Sequence, residues 1–237
     1  MNPAIAVRNL RVNRGGRRVL DELDISVDSG SITGVIGPSG SGKTTLIRAL
    51  AGVQAHVEGD VSVLGSPPGS PTNRQRLAYL TQGGSVYPDL TAAQNVRHFA
   101  RLSGVPLTHA TDALTRVDLH DRSDQLVSSM SGGQRARVGL ASVLVTGAEV
   151  LLLDEPTVGL DPLLRQQLWQ LFAELAAAGT TLLVSSHVMD EAARCDRVIL
   201  LREGRILAHN TPAELRSRAG TDDLDAAFIA LARQEQS

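Results

Sequence analysis

The sequence lacks the features that mark secreted, disulfide-bonded or membrane-spanning proteins. It has one cysteine, Cys195, so an internal disulfide is impossible, and a reducing, cytosolic setting is consistent with that count. No apolar run approaches the roughly twenty residues that a membrane helix needs. The longest candidates, Val150–Leu153 and Val198–Leu201, have the length of buried strands. The N-terminus also lacks the basic end and the long apolar core of a signal peptide. We expect that the chain alone neither crosses a membrane nor leaves the cytosol by that route.

An excess of charge of either sign is also missing. The formal net charge is −2 over 237 residues, which gives no general attraction to nucleic acid or to anionic lipid, so no nucleic-acid partner is expected. Five arginines lie between positions 8 and 18 with no acidic residue among them, but their loose spacing favours a solvated strand face. The content of 42% hydrophobic and 20% charged residues predicts a packed core, either one large domain or a core with a subdomain.

The most informative segment is rich in glycine. Residues 37–44 read GPSGSGKT and fit the P-loop pattern G-x-x-x-x-G-K-[ST], between an apolar run and a helical pattern. Glycines let successive backbone N–H groups curl around phosphate oxygens, and the helix N-terminus adds partial positive charge. We expect Lys43 to reach the β- and γ-phosphates and Thr44 to hold Mg²⁺. The alternative, a glycine-rich turn without a ligand, is disfavoured by Lys-Thr at the start of a helix. The candidate phosphate-binding residues are Gly37, Pro38, Ser39, Gly40, Ser41, Gly42, Lys43, Thr44 and Thr45.

Two acidic residues, Asp154 and Glu155, follow the apolar run Val150–Leu153. The carboxyl end of a buried strand is where α/β sheets keep their ligands. We expect Asp154 to complete the Mg²⁺ shell, directly or through water, and Glu155 to act as general base toward the attacking water. Two acids at a strand exit are common in structural roles, but the P-loop upstream gives that alternative less weight.

A third element, Ser131-Gly132-Gly133-Gln134, precedes a helical pattern. Alone, it is a turn and a helix N-cap. Together with the P-loop and the acidic pair, it resembles the nucleotide-binding domain of the ABC ATPases, and the resemblance runs from roughly Ile5 to Leu215. It implies ATP as the nucleotide and a composite site between two subunits. In that site the SGGQ segment of one subunit faces the γ-phosphate bound by the P-loop of another.

The resemblance assigns roles to three more residues. Gln82 matches the Q-loop glutamine, which contacts Mg²⁺ and water and relays to a membrane partner. Asp161 resembles the D-loop aspartate at the subunit interface. His187, in Ser-Ser-His, resembles the switch histidine, which contacts the γ-phosphate and the water. The candidate catalytic residues are therefore Glu155, His187 and Gln82, and the candidate metal ligands are Thr44, Gln82 and Asp154.

Two positions depart from the family pattern. Met130 stands where the family usually has Leu before SGGQ, which is a volume-conserving exchange. The family commonly has an aromatic residue beneath adenine, whereas this chain reads Asn-Arg-Gly-Gly at positions 13–16. Arg14 is the candidate occupant, since a planar guanidinium can stack on the base. In the alternative, Arg14 is a solvated turn residue and adenine rests on Val19 or its neighbours.

The expected fold is α/β, a P-loop NTPase core with a mostly parallel sheet, an N-terminal antiparallel β subdomain and an inserted helical subdomain. We expect an ABC ATPase nucleotide-binding domain over residues 1–220, with the helical subdomain at about 89–145, and a short C-terminal tail over 221–237. Gly15-Gly16 predicts a hairpin, and a second short hairpin is expected to turn at Glu58-Gly59. Thr91 with Gln94 predicts a capping box.

Function follows as an expectation from the resemblance. The favoured interpretation is an ATP-binding and ATP-hydrolysing subunit that energises transport through separate membrane-spanning subunits, on the cytoplasmic side of the cell membrane. It would act with a second nucleotide-binding subunit, as a homodimer or heterodimer. Segments 223–231 and 85–91 resemble bacterial drug- and lipid-exporter ATPases, which favours export. The region 83–99, with Val86, Tyr87 and Leu90 as apolar anchors, would receive the membrane partner. The alternatives are a soluble ABC ATPase in a cytosolic assembly or repair process, and a regulatory module without turnover.

Overall fold

The structure is a computed structural model that describes residues 3–83 and 86–234. Within these ranges the chain forms two sheets and seven α-helices. The strands are β1 (Ile5–Arg14), β2 (Arg17–Val27), β3 (Ile32–Ile36), β4 (Val57–Val63), β5 (Leu77–Leu80), β6 (Val150–Asp154), β7 (Thr181–Ser186), β8 (Arg197–Arg202) and β9 (Arg205–Asn210). The helices are α1 (Lys43–Leu50), α2 (Ala92–Leu102), α3 (His109–Arg116), α4 (Gly132–Leu144), α5 (Pro162–Ala177), α6 (Pro212–Ala219) and α7 (Leu224–Gln234).

The larger sheet has six strands in the order β5-β6-β7-β3-β8-β9. Neighbours from β5 to β8 run parallel, and only β9 is antiparallel, so the predicted mostly parallel α/β fold is confirmed. Every residue of β3, β6 and β7 is buried, as expected for strands that are covered on both faces. Ile36 pairs with Ser186, and Asp154 pairs with Ser185. The loops that follow these three strands therefore begin side by side at one edge of the sheet.

The smaller sheet is antiparallel in the order β2-β1-β4, and the hairpin at Gly15-Gly16 is confirmed. The second predicted hairpin is wrong, because β4 is one continuous strand that pairs with β1. Gly59 lies inside that strand at a φ of 95°, opposite an irregularity in the pairing between Arg8 and Arg11. Gly59 therefore lies opposite a bulge of β1, where the two backbones come close, and does not form a turn.

Three helices, α2, α3 and α4, occupy the region where the helical subdomain was predicted. The capping box of α2 is confirmed: the Thr91 hydroxyl accepts from the Gln94 N–H at 3.2 Å, and Gln94 Oε1 accepts from the Thr91 N–H at 2.9 Å. The three helices bury apolar side chains in one core with the inner face of the parallel sheet. That core includes Val96, Ala100, Leu114, Val138, Ala141, Leu151 and Leu153.

The C-terminal segment that was expected to be a short tail contains a packed helix, α7. Its residues Leu224, Ala227 and Leu231 are buried, and the Arg202 guanidinium donates to the Ala232 carbonyl oxygen at 3.1 Å. Residues 235–237 of that segment lie outside the described residues, as does Ser85 of the exporter-like segment 85–91. Across 3–83 and 86–234, no helix combines the length and the apolar character that spanning a bilayer requires.

We expect Gly59→Ala to destabilise the fold. A Cβ at this position would lie 2.3 Å from the Asn9 carbonyl oxygen, in a backbone conformation that side chains rarely adopt. We expect a loss of about 1–3 kcal/mol in the free energy of unfolding, measured in urea. Gly65→Ala is the matched control, because its φ of 76° is similar and a Cβ there meets nothing within 4 Å. Equal losses in the two variants would show that the contact with β1 has no cost of its own.

Candidate nucleotide-binding and hydrolysis site

The P-loop connects β3 to α1 at the edge of the sheet where the strands end. Gly42 is the N-cap residue of α1 and has a φ of 110°, and a Cβ there would lie 2.6 Å from Leu20 Cδ2. Glycine is therefore required at this position by both the backbone and the packing. No side chain caps the first turn of α1. Its N–H groups and the positive end of its dipole are left for an anion.

Lys43 begins α1 and extends back along the loop. Its side chain is 5% exposed, and Nζ donates to the carbonyl oxygens of Gly37 at 2.8 Å and Pro38 at 3.0 Å. Nζ also lies 3.7 Å from Oε1 of Glu155. Burial lowers the pKa of the ammonium group, and the charges of Glu155 and Asp154 oppose that effect. The site thus presents a poorly hydrated cation beside the glycine loop, which is the chemistry that a phosphate group needs.

Asp154 is the last residue of β6 and is 1% exposed. Its Oδ1 accepts from the Thr44 hydroxyl at 3.2 Å and from the Ser185 hydroxyl at 2.7 Å. Within the described residues, Oδ2 has no hydrogen-bond partner although it is buried. A free carboxylate oxygen beside a threonine hydroxyl suits Mg²⁺, which prefers oxygen ligands and binds to few protein groups when phosphates supply others. The residues present therefore fit this metal.

Glu155 follows at a φ of 53°, in the left-handed region that is unusual for a residue other than glycine. Its carboxylate lies near both of the other predicted catalytic residues and near the predicted phosphate-binding lysine. Gln82 Nε2 donates to Oε2 at 3.1 Å, and His187 Nδ1 lies 3.5 Å from Oε1. Lys43 is the third neighbour, and the carboxylate is 11% exposed. The structure therefore brings Gln82, Lys43, Glu155 and His187 together at one point.

Ser185 was not among the predicted site residues, yet it joins the two acids. Besides donating to Asp154, its hydroxyl accepts from the Glu155 backbone N–H at 2.9 Å, and the side chain is fully buried. The signal in the sequence is a pair of serines at the end of a buried strand that reads TLLVSS. A buried hydroxyl needs partners, but only the parallel pairing of β6 with β7 identifies them.

A cleft of about 360 Å³ opens over the P-loop, and we call it the P-loop cleft. Both candidates for the adenine platform, Arg14 and Val19, line it. The Arg14 backbone pairs with Arg17 in the β1–β2 hairpin, while its guanidinium forms no hydrogen bond or ion pair with the described part of the chain. The other lining residues are Ser39, Gly40, Gly42, Lys43, Thr44, Thr45, Gln82 and Glu155.

The SGGQ segment lies outside the P-loop cleft. Ser131 caps α4: its hydroxyl accepts from the Gln134 N–H at 3.3 Å, and Gln134 Oε1 accepts from the Ser131 N–H at 2.9 Å. Gly132 and Gly133 line a neighbouring cavity of about 440 Å³. Asp161 caps α5 by accepting from the Leu164 N–H at 3.0 Å. None of these residues lines the P-loop cleft, although Gly132 and Gly133 share the neighbouring cavity with Gln82, Asp154 and Glu155 of the same copy.

The bridge made by Ser185 predicts the outcome of Ser185→Ala. The change leaves an Asp154 oxygen and the Glu155 N–H short of a partner, so we expect the free energy of unfolding to fall by about 1–3 kcal/mol. Because the hydroxyl orients a candidate metal ligand, we also expect kcat for ATP hydrolysis to fall about 10- to 100-fold. Ser142→Ala is the control, since that buried hydroxyl bonds only to Val138 of its own helix. A Ser185→Ala protein with unchanged stability and turnover would contradict the bridging role.

Comparison with known proteins gives the same family as the sequence motifs. Residues 20–158 match the family model described as "ABC transporter". The chain is 36% identical over 230 residues to the Nod factor export ATP-binding protein I of Burkholderia lata, covering 93% of this chain and 75% of that protein. It is 38% identical over 216 residues to the daunorubicin/doxorubicin resistance ATP-binding protein DrrA of Streptomyces peucetius, covering 88% and 66%.

Solved structures agree with this assignment. An ATP binding subunit of an ABC transporter matches with a TM-score of 0.88 and 27% identity, over 97% of this chain and 99% of that one. The ATP-binding cassette MJ0796, in a dimeric post-hydrolysis state with ADP and Pi, shares the fold with a TM-score of 0.81 and 23% identity, over 87% and 98%. The family model, the relatives and the site geometry together identify the chain as a member of the ABC transporter family, an ATP-binding ATPase with the P-loop, acidic pair and SGGQ segment of that family.

Proposed function

We propose that this chain is the ATP-hydrolysing subunit of a membrane exporter and acts on separate membrane-spanning subunits. The observation that carries the hydrolytic part is the Glu155 carboxylate, held within 3.1–3.7 Å of Gln82, His187 and Lys43. A degenerate nucleotide-binding module would have no need of a base in that position. The relatives named above are export and drug-resistance ATP-binding proteins, which supports the direction of transport.

The chemistry assigns one task to each side chain. Lys43 and the backbone N–H groups of the P-loop bind the β- and γ-phosphates, and Thr44 and Asp154 would hold Mg²⁺. When bound, that ion neutralises developing charge on the phosphate oxygens. Glu155 accepts a proton from the attacking water, while Gln82 and His187 orient that water and the γ-phosphate. Arg14, with Val19, would support the adenine base.

We further propose that two copies, or this chain and a related one, complete the site together. Ser131, Gly132, Gly133 and Gln134 stand apart from the P-loop cleft of their own copy. The hydroxyl of Ser131 and the N–H groups at the start of α4 suit an anion, so a second copy can present them to the γ-phosphate. Asp161 would lie at the same interface. Closure on ATP and release after hydrolysis give the two conformations that transport requires.

The membrane partner would dock beside α2, on a surface around Tyr87. The backbone there is fixed, because Asn95 Oδ1 accepts from the Tyr87 N–H at 2.7 Å and Asn95 Nδ2 donates to the Tyr87 carbonyl at 3.0 Å. The Tyr87 ring is 47% exposed and meets the His98 ring edge-on, with centroids 5.2 Å apart. Val86 packs partly on the core, and Leu90 is half-buried. Of the predicted anchors, Tyr87 is thus the one most available to a partner, and Gly84 and Ser85 lie outside the described residues. The chain would therefore sit on the cytoplasmic face of the membrane.

Glu155→Gln tests the hydrolytic assignment. An amide cannot take a proton from water, so we expect kcat to fall by about 10²- to 10⁴-fold while ATP still binds. The same protein should accumulate as a dimer in the presence of ATP, as judged by size-exclusion chromatography. Glu174→Gln, an exposed position on α5, is the control. Turnover by Glu155→Gln close to that of the wild type would remove Glu155 from the catalytic role.

Tyr87→Asp tests the membrane partner. A charge placed on the docking surface should leave ATP binding intact and uncouple hydrolysis from transport in the assembled complex, because an exposed apolar anchor at an interface is lost. Val53→Asp, at a position 55% exposed after α1, is the control for an added charge. Normal transport by Tyr87→Asp would show that the membrane partner does not dock at Tyr87. A native chain that co-purifies only with soluble partners would favour the alternative, a soluble ABC ATPase in a cytosolic assembly or repair process.

A further inference from the structure

The loops that carry Glu155 and His187 are joined a second time, by an ion pair between Arg165 and Glu191. Arg165 lies in the first turn of α5, and Glu191 lies in a 3-10 turn four residues after His187. Nε of Arg165 is 3.8 Å from Oε1 of Glu191, and an Nη atom donates to the Leu160 carbonyl oxygen at 3.3 Å. Arg165 therefore contacts both the segment that follows Glu155 and the segment that follows His187.

The burial of Glu191 makes this ion pair necessary. Its side chain is 2% exposed, and neither carboxylate oxygen has a hydrogen-bond partner in the part of the chain that the structure describes. A buried charge is costly unless it is paired, and Arg165 supplies the pairing. Buried Met189 and Ala192 also hold the turn that carries Glu191, and Arg165 links that turn to the segment after Glu155.

Short backbone turns connect the ion pair to the two site residues. Between Glu155 and Leu160 the chain turns twice, through N–H to carbonyl bonds of 3.3 Å each. On the other side, the Glu191 N–H donates at 3.2 Å to the carbonyl of Val188, the residue after His187. Both connections span only a few residues, so a shift of the ion pair would displace the loops that carry Glu155 and His187. The ion pair, the two turns and the 3.5 Å contact between Glu155 and His187 form a closed ring.

We propose that Arg165 and Glu191 are positioning residues for hydrolysis, because they fix the separation of the Glu155 and His187 side chains. The inference rests on the proposed function, since it concerns how the general base and the switch histidine are held. A merely structural ion pair would support the fold and leave the turnover of the folded protein unchanged.

The test replaces both partners at once, in R165M/E191M. A single Arg165→Met change leaves the buried Glu191 carboxylate unpaired and can prevent folding, whereas apolar side chains at both positions remove the buried charge together with its partly exposed partner. We expect an unchanged Tm and a Kd for ATP within about twofold of the wild type. We expect kcat to fall about 10- to 100-fold, the scale of a misplaced catalytic group, with KM unchanged.

The matched control is R76M/E149M. This Arg–Glu pair joins the residues just before β5 and β6, at the end of the sheet opposite the site, through contacts of 2.6 Å and 2.9 Å. The R76M/E149M variant loses one arginine and one glutamate charge, as R165M/E191M does, and should leave kcat unchanged. Hydrogen exchange of the nucleotide-free protein adds a readout independent of activity. In R165M/E191M the amides of 157–160 and 188–191 should exchange faster, while those of β6 should not.

The sole tryptophan, Trp169, lies one turn after Arg165 and is 3% exposed, so its emission reports whether α5 stays packed. A folded R165M/E191M protein with kcat within twofold of the wild type would overturn the inference. So would a loss of kcat accompanied by shifted Trp169 emission and an equal loss of ATP affinity, because that pattern indicates structural damage. If Glu155→Gln is inactive while R165M/E191M is active, this inference alone fails. If Glu155→Gln is fully active, the proposed function fails and the inference loses its basis.

Discussion

The parallel pairing of β3, β7 and β6 is the constraint on which the rest of the site depends. These strands are adjacent and in a register that ends all three at one level, with Ile36 beside Ser186 and Asp154 beside Ser185. Three segments far apart in sequence, the P-loop, the acidic pair and the loop of His187, consequently start on neighbouring strands that are about 5 Å apart, with the His187 loop in the middle. A slip of one residue would move every side chain of the strand to the opposite face and separate Ser185 from Asp154.

That edge of the sheet gathers buried charge that the protein neutralises only in part. Lys43 is buried against two carbonyl oxygens and near Glu155, while Asp154 keeps one oxygen without a hydrogen-bond partner within the described ranges. Burial of this kind is costly for a folded protein, and binding of a phosphate group and a divalent cation would relieve both costs. Glu155 adds backbone strain, with its φ of 53°. Stability and function therefore oppose each other at the same residues.

Much of this could be predicted from sequence because its causes are local. The P-loop pattern, the capping box of α2 and the N-cap at the SGGQ segment depend on residues within a few positions of each other. The bulge at Gly59 was mistaken for a turn, because a glycine inside a polar stretch predicts either, and only the approach of β1 distinguishes them.

The remaining features depend on contacts that no local pattern encodes. Ser185 is recognisable as a bridge only once β6 and β7 are known to be neighbours. The ion pair between Arg165 and Glu191 is likewise recognisable only in the fold, because in the sequence each residue resembles an ordinary surface charge. The packing of α7 on the larger core could not be predicted either, because its short apolar pattern is also compatible with a free tail.

The central claim is that the site is completed between copies of the chain, and disulfide trapping tests it most directly. Two exposed positions are available, Ser39 in the P-loop and Ser131 before α4, and the only native cysteine, Cys195, is buried. Ser39→Cys and Ser131→Cys copies that carry tags of different size would be mixed and oxidised. The account predicts a covalent Ser39→Cys to Ser131→Cys dimer with ATP and Mg²⁺, and none between two Ser39→Cys copies. Trapping that fails with ATP, or that is equally efficient without nucleotide, would contradict it.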